Sequence, residues 1–199
     1  MPARPLVLAS ASPARLGLLR AAGLDPSVVV SGVDEDAVAA DGPAALVLEL
    51  AVRKARAVAP QVAAGSLVLG CDSLLELDGE ALGKPATPEV ALARWQRMRG
   101  RAGTLLTGHC LLDTTTDASA EAVAATTVRF GTPTDAELRA YVASGEPLQV
   151  AGGFTLDGRS APYVDGVDGD PGNVVGLSMP LLRTLLAQHG VAVHELWRA

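Results

Sequence analysis

Asp72 is the residue most in need of a chemical explanation. It falls inside an otherwise apolar, strand-like run from Leu67 to Leu77. A carboxylate there is costly to bury unless it is paired or bound to a cation. Three further polar groups stand at the ends of apolar runs, where open α/β sheets place ligands. Ser10-Ala11-Ser12-Pro13-Ala14-Arg15 opens a helix, and two hydroxyls, free N–H groups and an Arg one turn in form a potential anion site. Asp34-Glu35-Asp36 follows a strand and offers oxygen ligands for a hard cation. Leu82-Gly83-Lys84-Pro85 pairs a glycine that lets a ligand approach with a point charge for phosphate, and Lys54 adds a cation on a preceding helix. Each group also has a plain reading: a Ser-Pro helix cap, a solvated acidic turn, a strand end reaching water, a solvated lysine.

Several familiar arrangements are absent. The Lys84 loop is not a Walker A loop, because Pro85 stands where Ser or Thr would hold magnesium. There is no G-x-S-x-G elbow, no H-E-x-x-H and no dinucleotide-binding glycine fingerprint. His109, His189 and His194 share no metal-ligand spacing with acids. Cys71 and Cys110 suit small core residues better than a nucleophile or a disulfide framework.

The elements that must position these residues follow from periodicity. Leu6 to Ala9 and Val28 to Ser31 read as short strands. Ser12-Pro13 caps a helix closed by Gly23. Pro43 to Val58 is helical, with Leu46, Leu50, Ala51 and Val58 on one face. The strand pattern Leu67 to Leu77 is interrupted at Cys71-Asp72-Ser73, and Asp78-Gly79 marks a hairpin. Thr87-Pro88-Glu89 opens another helix. Leu105–Leu112 and Val123–Phe130 pair as strands, and Thr134 with Glu137 forms a capping box. Residues 152–170 read as loop with one strand, and Met179 to Gln188 as a final helix. Early alternation and central hairpins give an α/β class with a mixed sheet flanked by helices.

The 199 residues are nearly half apolar but only 3% aromatic, so Leu, Val and Ala are expected to build the core. A net charge of −6 argues against nucleic-acid polymers as partners while leaving room for a small polyphosphate met by a few local cations. Met1 to Pro5 leads into a run too short for a signal-peptide core, and no stretch approaches a membrane span, so the expected location is cytoplasmic.

Taken in order, the motifs resemble one family. They are Leu8-Ala9-Ser10-Ala11-Ser12-Pro13 with Arg15, Val33-Asp34-Glu35, Leu50-Ala51 with Lys54-Ala55, Asp72-Ser73, Leu82-Gly83-Lys84-Pro85, Thr107-Gly108, Glu146-Pro147, Ala151-Gly152-Gly153 and Asn173-Val174-Val175-Gly176-Leu177. The chain is similar to the Maf nucleotide pyrophosphatases over nearly its whole length. The resemblance implies a single Maf-like domain over residues 1–199, of two closely packed lobes without a linker, with an inosine-triphosphatase-like fold and a deep cleft. It implies metal-dependent hydrolysis of a nucleoside triphosphate to monophosphate and diphosphate, with Mg2+ or Mn2+. It further implies a homodimer and a link to nucleotide-pool sanitation and inhibition of septum formation.

By the family pattern Asp72 is the proton acceptor. Ser10, Arg15, Glu35, Lys54 and Lys84 fall on the family's cleft positions. Their chemistry suggests that Ser10, Arg15, Lys54 and Lys84 bind phosphates, and that Glu35 and Asp72, with Asp36 as a further candidate, hold the metal. Ala14, Ser73 and Asp157 fall where the family sorts substrates by base, and they differ from its common residues there. Two other readings stay open. Asp34-Glu35-Asp36-Ala37-Val38 fits the D-x-D-x-[TV] pattern of aspartyl-phosphate phosphatases, with Asp34 and Asp36 as the acids. A non-catalytic regulator of septum formation is the other.

Overall fold

The computed structural model describes residues 4–198; the opening Met1-Pro2-Ala3 and the final Ala199 lie outside them. Among the described residues, seven strands and six α-helices follow one another. The strands are β1 (Leu6–Leu8), β2 (Ser27–Val28), β3 (Leu67–Leu77), β4 (Glu80–Leu82), β5 (Ala102–Asp113), β6 (Ser119–Phe130) and β7 (Val164–Asp168). The helices are α1 (Pro13–Ala21), α2 (Pro43–Val58), α3 (Pro88–Met98), α4 (Asp135–Ala143), α5 (Pro171–Val175) and α6 (Met179–Gln188). The sheet order is β2-β1-β3-β5-β6-β7, with β4 paired to β3. β1 runs parallel to β2 and β3, while β3–β4 and β6–β7 are antiparallel. The sheet is therefore mixed, as the α/β reading expects.

Contacts divide the chain into two compact units. One takes in the chain up to Asp72, Thr107–Ala124 and the chain from Gly176; the other is Ser73–Leu106 with Ala125–Val175. β3, β5 and β6 each contribute residues to both units.

In the first unit, strand alternation sorts side chains onto two faces. Leu6, Leu8, Leu67, Leu69 and Cys71 join the layer that holds Leu19 of α1 and Leu182, Leu185 and Leu186 of α6. Val7, Ala9 and Val68 meet Ala51, Ala55 and Val58 of α2 instead. Two glycines let α2 lie unusually close. A Cβ on Gly70 would stand 2.1 Å from the Ala51 carbonyl oxygen, and one on Gly108 would stand 2.1 Å from that of Val47. These glycines sit on the neighbouring strands β3 and β5, beneath successive turns of one helix.

The second unit is built differently. Trp95 of α3 is fully buried, packs edge-on against Phe130, Tyr141 and Tyr163, and donates from Nε1 to the Gly153 carbonyl at 2.8 Å. Phe154 meets Phe130 in the same way. Leu and Val build much of this core too, as expected, but five of the six aromatic residues also gather here.

The capping expectations agree with the structure. Ser12, Thr87 and Thr134 each accept a backbone N–H at a helix start, and Thr134 and Glu137 form the expected capping box. Ser178, which the sequence reading did not single out, caps α6 in the same way. Asp78 and Gly79 both take positive φ, which suits a two-residue hairpin between β3 and β4. Two expectations need correction, and one helix was not anticipated. β3 is continuous through Cys71-Asp72-Ser73, because its ladder does not depend on side-chain polarity. β2 stops at Val28, and Val30 is 61% exposed. Helix α5 follows the loop after β7, where a Pro-Gly-Asn start hides any apolar period.

Candidate active site

Asp72 faces α2 because it shares strand parity with Val68 and Gly70. The small residues at Gly70, Ala51 and Ala55 bring the helix close, and Lys54, one residue before Ala55, reaches the carboxylate. Lys54 Nζ lies 2.6 Å from Asp72 Oδ1 and 2.6 Å from Glu35 Oε1. The ammonium and Asp72 are buried, while the Glu35 side chain is 54% exposed. Lys54 is thus a buried group on the apolar face of α2, not the solvated helix lysine of the plain sequence reading. Burial lifts the Asp72 carboxyl above its ordinary value; Lys54 and Arg15 pull it down, and Glu35 adds to the rise. A carboxylate held this way is a better proton acceptor than an exposed one.

Arg15 is buried at the start of α1 and is held from two sides. Its Nε donates to the Gly176 carbonyl at 2.8 Å, and its Nη1 donates to Ser10 Oγ at 3.1 Å. Ser10 Oγ also accepts the Ser12 N–H at 3.2 Å, so the loop before α1 is fixed by the same hydroxyl. Ser10, Arg15, Glu35, Lys54 and Asp72 belong to one unit, and Arg15 acts electrostatically on Asp72. Asp34 and Asp36, which flank Glu35, are exposed. Cys71, beside Asp72, is fully buried with its thiol pushed up to about 12 by desolvation, which leaves it inert at neutral pH.

The remaining sequence candidates are placed as follows. Ala14 lies half-buried on α1 in the same unit. Ser73, Lys84 and Asp157 lie on the other unit, the last two exposed. The loop carrying Lys84 is anchored by the Gly83 carbonyl, which accepts from Gly152 N at 3.1 Å and from Arg94 Nη1 at 2.7 Å.

The Maf-like protein family model matches residues 5–189. The chain belongs to the Maf family. Relatives similar to this Maf chain carry the name nucleoside triphosphate pyrophosphatase. The protein from Streptomyces coelicolor is 67% identical over 98% of this chain and 96% of its own length. That from Streptomyces avermitilis is 64% identical over the same shares. That from Salinispora tropica is 56% identical over 96% of this chain and 87% of its own. Among solved structures, the Staphylococcus aureus Ham1 protein is 16% identical, with a TM-score of 0.44 over 63% of this chain and 71% of that one.

Several buried polar residues of the Maf chain carry no role in the sequence reading, and His109 is one of them, bonded to the segment that anchors Arg15. His109 lies fully buried on β5, within hydrogen-bond distance of the Thr107 carbonyl and the Ser178 N–H. Its signal was present: a histidine inside Thr107-Gly108-His109-Cys110-Leu111-Leu112 must find polar partners to be buried.

Proposed function

We propose that the Asp72 carboxylate, with Glu35, Lys54, Arg15 and Ser10 around it, carries the nucleoside triphosphate pyrophosphatase reaction in this chain. The observation that supports this is the single ammonium of Lys54 held 2.6 Å from both carboxylates. Asp72 orients a water and takes its proton as the water oxygen attacks the α-phosphorus. The bond from that phosphorus to the bridging oxygen breaks, and diphosphate leaves with the bond's electron pair. Arg15 and Ser10 bind phosphate oxygens, and Lys84 adds charge to the outer phosphates. Lys54 takes a different part from the phosphate contact its charge suggests in the sequence: its contacts are carboxylates, so it holds the two acids side by side.

A divalent cation fits this pair. Among the described residues no group of three or more His, Cys, Asp or Glu could hold a metal. Two carboxylates are nevertheless the usual protein share for Mg2+, whose other ligands are waters and substrate phosphates. Glu35 and Asp72 are the residues that would hold it. When bound, such a cation supplies positive charge against the phosphate oxygens and lowers the pKa of a bound water.

No helix among the described residues is long and apolar enough to cross a membrane. A cytoplasmic setting suits a nucleoside triphosphate substrate. A homodimer and a part in nucleotide-pool sanitation or cell-division arrest rest on the family resemblance, and sedimentation reads the first directly. Ala14, Ser73 and Asp157 are the positions to vary when base preference is mapped.

The test is a panel of standard and modified nucleoside triphosphates with Mg2+, Mn2+ or Co2+, with diphosphate and phosphate detected separately. Diphosphate in step with the monophosphate is the expected result. Inorganic phosphate as the first product would move the chemistry to Asp34 and Asp36. No turnover with any metal would leave only a regulatory role.

A further inference from the structure

His109 is fully buried, and its two ring nitrogens meet partners of opposite kind. Nδ1 lies 3.0 Å from the Thr107 carbonyl oxygen, which can only accept. Nε2 lies 3.0 Å from the Ser178 backbone nitrogen, which can only donate. The neighbours therefore fix a neutral ring with its proton on Nδ1 and a bare Nε2.

Ser178 is the N-cap of α6, and its own hydroxyl accepts the Leu181 N–H. Two residues earlier, Gly176 holds a φ of +126° and turns its carbonyl onto Arg15 Nε at 2.8 Å. A Cβ at Gly176 would itself stand 3.3 Å from that nitrogen. The Gly176-Leu177-Ser178 segment is thus gripped at one end by a ring on β5 and at the other grips the guanidinium on α1. Arg15 then reaches Ser10 through Nη1 at 3.1 Å.

We propose that His109 is a positioning residue for Arg15. By accepting the Ser178 N–H it fixes the turn whose Gly176 carbonyl sets the direction of the Arg15 guanidinium. This rests on the reading of Arg15 as a triphosphate-binding group. An acceptor at the reach of Nε2 is what the role requires. Glutamine can present its side-chain oxygen there, whereas asparagine matches only the nearer Nδ1 position.

The experiment measures kcat, KM and Tm for His109→Asn, His109→Gln, Arg15→Ala and the double variant H109N/R15A. Losing one buried hydrogen bond that aims a charged group should raise KM by on the order of five- to tenfold in His109→Asn, with kcat within about twofold. His109→Gln should recover most of that loss. In the Arg15→Ala background His109→Asn should raise KM no further. If His109→Asn does not fold, Ser178→Pro removes the same N–H from the other side, at a φ of −81° that proline accepts. Ser178→Ala keeps that N–H and is the control; only the proline variant should raise KM.

Equal KM increases from His109→Asn with and without Arg15 would overturn the proposal while leaving Arg15 as a ligand. So would a fall in Tm with KM unchanged, or equal KM for Ser178→Pro and Ser178→Ala. An unchanged KM in Arg15→Ala would instead remove Arg15 from binding, and the inference with it.

Discussion

Lys54 and Asp72 form a buried ion pair across the face of β3, Nζ to Oδ1 at 2.6 Å, and the same ammonium reaches the far more exposed Glu35. Removing Lys54 leaves the buried Asp72 carboxylate without this partner. Lys54→Met should cost about 3–5 kcal/mol of stability at neutral pH, the usual range for half of a buried pair. Asp72→Asn should cost less, because the ammonium keeps Glu35, but should lower turnover by ~10²–10⁴-fold as expected for a lost general base. The double variant K54M/D72N should regain much of the stability and none of the activity. Thermal melts beside steady-state rates read both. Full turnover in Asp72→Asn would remove this carboxylate from the chemistry.

The approach of α2 makes a purely steric prediction. Gly70→Ala and Gly108→Ala each place a methyl group 2.1 Å from a backbone oxygen, which no side-chain rotation relieves. Overpacking of this kind costs typically about 1–3 kcal/mol, and more where backbone must move. Gly70→Ala should also lower activity, because Lys54 and Asp72 are carried by the surfaces it pushes apart. Denaturant melts and rates at a temperature where both proteins remain folded separate the two effects.

Lys84 is exposed, so its loss should be felt in binding alone. Lys84→Ala should raise KM about tenfold, as for loss of one well-placed charge, while stability stays within about 0.5 kcal/mol. A KM equal to that of the parent chain would exclude Lys84 from the phosphates.

Acid stability should depend on Asp113, which closes β5. Its carboxyl is held at about 2, chiefly by a hydrogen bond from Arg4 and further by the Thr115 N–H, with burial opposing. The Arg4 Nη2 to Asp113 Oδ1 distance is 2.6 Å. A depressed folded value means that the unfolded chain binds the proton first. The contribution is complete above the ordinary carboxylate range and is lost as pH falls toward 2. Tm followed from pH 6 to pH 2 should fall less steeply in Asp113→Asn than in the parent chain. Parallel curves would show that the pair does not contribute.

Local signals carried much of the fold. Ser12, Thr87 and Thr134 announce their helices because a cap is a contact within four residues, and Asp78-Gly79 announces its hairpin for the same reason. Polarity at Asp72 says nothing about the backbone ladder of β3, and the ammonium that accommodates its carboxylate comes from Lys54, 18 positions earlier in the chain. Lys54 looked solvated for a related reason. Its periodic neighbours Leu50, Ala51 and Val58 were legible as a buried face, but the acid that makes a buried lysine tolerable lies on another element. The aromatic cluster around Trp95 is not legible in the 3% aromatic content, because composition averages over both units. Asp72, Arg15 and Ser10 stood out by type and order, and only the structure gave Lys54 its two carboxylate partners and His109 its place behind Ser178.

Gly70 and Gly108 have one more implication. A saturation screen for activity would rank both among the least replaceable positions, alongside Asp72, and the ranking would invite a search for their role in catalysis. What the structure gives them is a steric role. What they contribute is absence of volume: hydrogen is the largest substituent that the backbone of α2 leaves room for, so the tolerance map around this site records clearance as well as chemistry.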